Sequence, residues 1–265
     1  MTRGVVIFAF NNPAVDYVAM ATWSAKRIHQ HLNLPVTLIT DNATASSVFD
    51  RVIVVEPRSA TSKWFHEFDS SLPWHNANRI DAFELSPYDQ TVVLDSDYVV
   101  ASNQLLTLFD SGQEFLVHRW AIDVTDSQNY QRNNYFGRHS MPMSWATVLY
   151  FNRSNTARAI FEMMSRIKHN WAHYRNLYGV ADSTYRNDFA VSIAASVIYG
   201  YQADYPSIPW NLLNVEPTHR IQQIDNDIFR IDFEHQQKLR YITVGNCDFH
   251  AMNKKSLGEI VGNSK

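Results

Sequence analysis

The chain sets short apolar runs between polar stops. Residues 5–10 are apolar and are closed by Asn11, Asn12 and Pro13. They read as a first strand, because an unbroken apolar run suits a strand covered on both faces. Asn12 can cap a following helix and Pro13 fits its first turn. Val15, Val18, Ala25, Ile28 and Leu32 then recur near helical spacing. Residues 35–40 and 51–55 read as two more strands, ending at Asp41 and at Glu56-Pro57. Strand, helix, strand and strand in so short a span predict an α/β layer with a mainly parallel sheet flanked by helices.

Residues 58–75 show neither period and hold Trp64, Phe65, His66, Phe68, Pro73, Trp74 and His75. Asn76 then opens a helix over 77–85, with Ala77, Ile80 and Phe83 on one face and Pro87 beyond its end. Residues 91–94 and 114–118 read as strands. Residues 120–140, with Asn129, Asn133, Asn134 and Gly137, read as a long polar loop of the kind that forms lids. Residues 146–151 are a strand by propensity. After the turn Asn152-Arg153-Ser154, in which Ser154 can cap, Ala157, Ile160, Phe161, Met164, Ile167 and Trp171 form a helical stripe. A helix over 188–199 is stopped by Gly200. Pro206, Pro209 and Pro217 punctuate a loop region, and residues 239–244 form a last strand before a polar tail. No stretch reads as a linker, so residues 1–265 are taken as one domain.

The chemistry concentrates at Thr91-Val92-Val93-Leu94-Asp95-Ser96-Asp97. In extended backbone Asp95 and Asp97 project to the same side. Two carboxylates so close repel, and a divalent cation removes the conflict. A pair of this spacing also arises in ordinary solvated turns. Its place at the carboxyl end of a central strand, where open α/β sheets hold ligands, favours the metal reading.

Composition narrows the classes. The 13 Tyr, 15 Phe and 7 Trp suit stacking sites as well as a core. Cys247 is the only cysteine, which excludes an internal disulfide and a four-cysteine zinc site. A reducing compartment, the cytoplasm or a host's cytoplasm for a viral chain, is the expected location. The apolar stretch after Arg3 is too short for a signal-peptide core or a membrane span. No glycine-rich phosphate loop is present, which argues against an ATPase. The net charge of −3 hides an asymmetry: residues 130–190 carry 8 basic and 3 acidic side chains. That segment interleaves Tyr130, Tyr135, Phe136, Trp145, Trp171, Tyr174 and Tyr178. It is either a polyanion-docking face with stacking side chains or a set of solvated helix faces.

The order of parts resembles the GT-A-fold glycosyltransferases, and within them family 8, the glycogenin-like and galactosyltransferase group. An arginine-bearing helix (Arg79) leads into a strand ending in Asp95-Ser96-Asp97, a mid-chain strand ends in Phe151-Asn152, and a later helix carries Asp188. Near the end, His250-Ala251-Met252-Asn253-Lys254 is similar to the family's late His–Lys segment. The likeness spans about residues 4–256. Ala251 stands where the family has Gly, Arg153-Ser154 follows Asn152 where it has Ser-Gly, and Phe189 follows Asp188 where it has Gln. The chain therefore resembles a distant sister group.

The resemblance implies a Rossmann-type GT-A domain with a nucleotide-sugar half (1–100), an acceptor half (101–245) and a metal- and phosphate-binding tail (246–265). It implies Asp95, Asp97 and His250 as ligands of Mn²⁺ or Mg²⁺, and Lys254 on the diphosphate of a nucleotide-sugar donor, UDP by the family's habit. Phe10, Asn11, Asn12 and Asp41 would serve base and ribose, Asp95 would touch the metal or the ribose, Arg79 would pair with the diphosphate or with Asp95, and Ser96 would belong to the donor site. Asp188 would stand with Asp97 at the reacting centre, and Trp145, Asn152 and Arg153 would meet the acceptor. Capping alone also accounts for Asn11, Asn12 and Asp188. The acceptor is a hydroxyl, either of a glycan or protein or of a modified base in DNA. A non-catalytic nucleotide-sugar-binding module and a metal-dependent nucleotidyltransferase remain open as alternatives.

Overall fold

The structure is a computed structural model and describes residues 1–41, 47–56, 61–75, 77–126, 134–182, 184–202 and 204–264. In chain order the first half holds β1 (Arg3–Phe8), α1 (Tyr17–Leu32), β2 (Val36–Thr40), β3 (Arg51–Val54), β4 (Thr61–Phe65), β5 (Ser70–Trp74), α2 (Ala82–Leu85), β6 (Gln90–Asp95) and β7 (Tyr98–Val99). Then come α3 (Leu106–Phe109), β8 (Phe115–His118), β9 (Ala121–Asp123), β10 (Tyr135–Phe136), β11 (Met141–Pro142), β12 (Trp145–Asn152), α4 (Asn155–His169), α5 (Trp171–Tyr178) and α6 (Asn187–Ile198). The last part holds β13 (Leu212–Val215), β14 (Arg220–Asp225), β15 (Ile228–His235), β16 (Lys238–Gly245), β17 (Phe249–Ala251) and α7 (Lys254–Asn263).

The main sheet runs β3-β2-β1-β6-β12-β8. β1 pairs in parallel with β2 on one side and with β6 on the other, so the strand order reverses between β1 and β6. Open α/β sheets bind ligands at that reversal, beyond the carboxyl ends of the strands. The register sets Phe8 beside Asp95 there. Alternation along β1 sends Val5 and Ile7 to one core, shared with α1, and Val6 and Phe8 to another, shared with α4 and α6. Helices on both faces explain why these strands are apolar throughout. No helix of the described residues is long and apolar enough to cross a membrane.

A smaller sheet, β7-β17-β13-β9, abuts the carboxyl end of the main one. Together with the antiparallel sheet β14-β15-β16 it accounts for segments that carry little sequence signal. Residues 58–75, expected to be irregular, include the β4–β5 hairpin, whose strands pair Thr61 with Trp74 through Phe65 with Ser70. A narrow two-stranded ribbon has no apolar face to announce it. The expected loop over 120–140 holds β9, β10 and β11, while residues 127–133, including Tyr130, lie outside the described part. The helix expected over 77–85 is a 3₁₀ turn, Ala77–Asp81, followed by α2; Asn76 is outside the described residues. The polar tail contains β17 and α7, where Asn253 caps Ser256 N at 2.9 Å and Leu257, Ile260 and Val261 are buried.

α1 begins later than expected. Asp16 caps it through Ala19 N at 2.9 Å, while Asn12 turns the preceding loop by accepting from Ala14 N and Val15 N. β12 is antiparallel to β6. Its start, Trp145, is therefore at the ligand end of the sheet, and Asn152, paired with Gln90, is at the far end. This corrects the expectation for Asn152 and Arg153. The Arg153 guanidinium instead clamps α2 from below, donating to the carbonyls of Phe83 and Ser86 and, at 3.1 Å, of Tyr88. Arg153→Met is expected to cost about 2 kcal/mol or more, because three carbonyls lose a charged donor. The denaturation midpoint should fall, with ligand affinities unchanged.

His118 adds a pH dependence. Its ring is fully buried, with Nδ1–H donating to Trp210 O at 3.0 Å, and burial pushes its pKa down to about 4. A histidine depressed in the folded state favours folding in full above its unfolded value near 6.5. That contribution is lost as pH falls toward 4. The expected loss is about 3 kcal/mol. In His118→Phe, unfolding free energy should vary less across this window; an unchanged slope would remove the assignment.

Candidate metal and anion site

β6 crosses from the main sheet to the small one within two residues. Asp95 closes β6, Ser96 and Asp97 turn, and β7 pairs antiparallel with β17, Tyr98 opposite His250. Ala251 N donates to the Asp97 carbonyl at 2.9 Å, which fixes the turn against β17. This junction aims Asp95, Asp97 and His250 at one point: each offers an atom within 4.8 Å of the others.

The chain's own cations surround these carboxylates. Arg79 pairs with Asp95 and reaches the Ala146 carbonyl at 2.7 Å. Burial lowers the Arg79 pKa, opposed by Asp188 and Asp97. Lys254 pairs with Asp97 and also donates to Ala251 O at 3.2 Å. Its backbone N–H is held by Glu67 at 3.1 Å. Burial alone would raise the Asp97 carboxyl, but Lys254 and His250 outweigh it and hold it well below the carboxylate range. Burial lowers the pKa of His250 against the pull of Asp97.

Asp188 is tied to the same centre through one residue, Ala146. Ala146, whose carbonyl takes Arg79, donates its N–H to Asp188 Oδ1 at 2.9 Å. The backbone of Ala146 is free to do both because the β12–β8 register slips between Trp145 and Leu149, a bulge beside the site. Arg186 holds Asp188 Oδ2 at 2.7 Å. Burial raises the Asp188 carboxyl, but Arg186, the Ala146 N–H and Arg79 together lower it, so it is an anion.

All of this opens on a cleft of about 520 Å³. Phe10, Arg79, Asp95, Ser96 and Asp97 line it, and so do Trp145, Asp188, His250 and Lys254. Asn11, Asn12 and Asp41 do not. Asn11 bridges Asp16 and Val18 N, Asn12 holds Pro73 O at 3.1 Å, and Asp41 is exposed past the end of β2. Sequence reasoning missed Arg186, Asn214 and the hairpin side chains Lys63, Trp64 and Trp74, with His75 just beyond. The density of Trp and His in 64–75 was the available signal. Lys63 Nζ lies 4.7 Å from the Trp74 ring centre, and Phe10 and His75 are 6.1 Å apart.

The donor set fits a hard divalent ion. With Nδ1–H of His250 donating to Asn214 Oδ1 at 3.1 Å, Nε2 faces Asp97 Oδ2 at 3.3 Å. Two carboxylates and one imidazole that offer atoms within 4.8 Å of one another suit Mn²⁺ or Mg²⁺. The cleft also leaves His75 Nδ1, Arg79 Nε and Asn214 Nδ2 buried without a hydrogen-bond partner among the described residues. Orphaned polar atoms of this kind suit a polar ligand.

Of the described aromatic side chains in the basic segment 130–190, Tyr135 is exposed, while Trp171, Tyr174 and Tyr178 make ring contacts within the chain. Trp171 stacks on Phe189 and meets Tyr185 edge-on, and Tyr174 stacks on Tyr178. Arg153 points inward and Arg186 serves Asp188.

No protein-family model and no curated protein matches the sequence. Among solved structures, the chain is similar to the glycosyltransferase GlyE of Streptococcus pneumoniae TIGR4, at 14% identity and a TM-score of 0.46. The match covers 79% of this chain and 46% of GlyE, so the chain spans less than half of GlyE's length. It is similar also to the galactosyltransferase LgtC in complex with donor and acceptor sugar analogues, at 16% identity and a TM-score of 0.42, over 72% of this chain and 69% of LgtC. An active-site mutant of LgtC matches over the same shares at 15% identity and a TM-score of 0.44.

Proposed function

We propose that the chain is a glycosyltransferase that moves a sugar from a nucleotide-diphosphate donor, a UDP-sugar, to a hydroxyl acceptor. The observation that carries this reading is the convergence of Asp95, Asp97 and His250 with Arg79 and Lys254 in one cleft at the reversal of the sheet. Carboxylates alone would repel a diphosphate; with a divalent ion the same carboxylates recruit one. Bound there, Mn²⁺ or Mg²⁺ would supply Lewis-acid stabilisation of the departing diphosphate.

The chain's residues do the rest. The bond between the anomeric carbon and the diphosphate oxygen breaks, a bond from the acceptor oxygen to that carbon forms, and the acceptor's hydroxyl proton leaves to the departing diphosphate. Lys254 turns from Asp97 to the diphosphate as a point charge, and Arg79 holds Asp95 in place. Asp188 stands as an anion against the electron-poor anomeric carbon, kept charged by Arg186 and the Ala146 N–H. Phe10, Trp74 and His75 offer rings to the base. The ring contacts that engage Trp171, Tyr174 and Tyr178 within the chain favour a glycan or protein hydroxyl over a DNA base as acceptor. A chain with one cysteine suits a reducing cytoplasm as the place of reaction.

A panel of nucleotide sugars with Mn²⁺, read by release of free nucleotide diphosphate, tests the reading. Acceptor arms are small glycans and hydroxymethylated DNA. Release from a UDP-sugar, abolished by a chelator, is the expected result. No release from any donor removes the reading.

A further inference from the structure

Asn214 sits on β13 directly beside His250 in the parallel pairing of β13 with β17. Its side chain is buried, with 1% of the residue exposed, yet the residue lines the cleft. Oδ1 accepts from His250 Nδ1 at 3.1 Å, while Nδ2 has no hydrogen-bond partner among the described residues. A buried amide donor left unpaired costs about 1–3 kcal/mol. The contact with His250 uses only the oxygen of the amide and leaves its NH₂ group unaccounted for.

We propose that Asn214 is a substrate-binding residue: its Nδ2 donates to an oxygen of the bound nucleotide sugar. This rests on the glycosyltransferase reading of the same cleft. Because Oδ1 is committed to His250, the amide cannot turn, and Nδ2 is aimed without rotamer search. The residue thereby links the imidazole that faces Asp97 to the ligand itself. The accepting oxygen belongs either to the diphosphate or to a sugar hydroxyl, since both groups present acceptors beside His250 and Lys254.

The test measures binding of UDP and of UDP-glucose by calorimetry at saturating Mn²⁺, for wild type and Asn214→Leu. If the oxygen is on the diphosphate, both ligands weaken by about three- to tenfold. If it is a sugar hydroxyl, only UDP-glucose weakens. If the wild type binds both and the variant binds both equally well, this inference falls and the proposed function stands. If the wild type binds neither, the UDP reading falls and takes the inference with it. An independent check needs no variant. The ¹⁵N shifts of His250 in the wild-type protein should show the Nδ1–H tautomer. The Nε2–H tautomer would mean that Asn214 presents its amide nitrogen to the ring, which overturns the proposal.

Discussion

Asp97→Asn is expected to lower turnover by about a hundred- to a thousandfold. Asp97 is the most constrained group of the site. Its carboxylate faces His250 Nε2 at 3.3 Å, pairs with Lys254 and belongs to the triangle that suits a divalent ion. The substitution removes charge without changing shape, so it tests electrostatics rather than packing. It also carries a stability cost that must be separated from the catalytic one. The side chains of Lys254 and Asp97 are only 11% and 7% exposed, so removing the carboxylate leaves a buried ammonium uncompensated. Metal-free Asp97→Asn should therefore unfold about 3 kcal/mol more easily. Adding Lys254→Met should restore most of that stability, because both charges are then gone. It should restore none of the turnover. Recovery of activity in the double variant would show that folding, not ion binding, was what the single change damaged.

Arg79 gives the second large effect, with an opposite sign on one observable. The guanidinium touches Asp95 and the Ala146 carbonyl at once, and through the Ala146 backbone it fixes the point where Asp188 is held. Lysine is a single point charge on a flexible stem and cannot span both partners. Arg79→Lys should therefore lose about tenfold or more in turnover, because a misplaced reacting group weakens catalysis steeply. Arg79→Met should lose more. It should also bind Mn²⁺ more tightly than wild type, because the cation competing for Asp95 is gone. Tighter metal with slower turnover separates Arg79 from a simple structural residue, whose loss would weaken both. A Met variant that binds metal less well would contradict the pairing described above.

The legible parts of the sequence were those whose signal is local. β1, β2, β6 and β12 announced themselves because strands covered on both faces are apolar at every position. Asp95 and Asp97 were legible because a carboxylate pair after such a run is unusual chemistry in a predictable place. The direction of β12 was not. Nothing in Trp145–Asn152 tells a parallel from an antiparallel neighbour, and so Asn152 and Arg153 were assigned to the wrong end of the sheet. Asn11 and Asn12 were ambiguous for a different reason: the groups that bind a ligand are the same groups that satisfy a turn, and here the turn takes them. Asn214 and Arg186 were illegible because each matters through a partner distant in the chain or through the bulge in β12. The hairpin β4–β5 escaped because its residues fill a cleft wall rather than a core.

The most direct test of the central claim is Mn²⁺ binding without nucleotide, followed by electron paramagnetic resonance of the free ion. The account predicts that wild-type protein takes up one Mn²⁺ per chain and that Asp97→Asn and His250→Ala both abolish the uptake. Uptake by the two variants equal to that of the wild type would place the ion elsewhere and contradict the account.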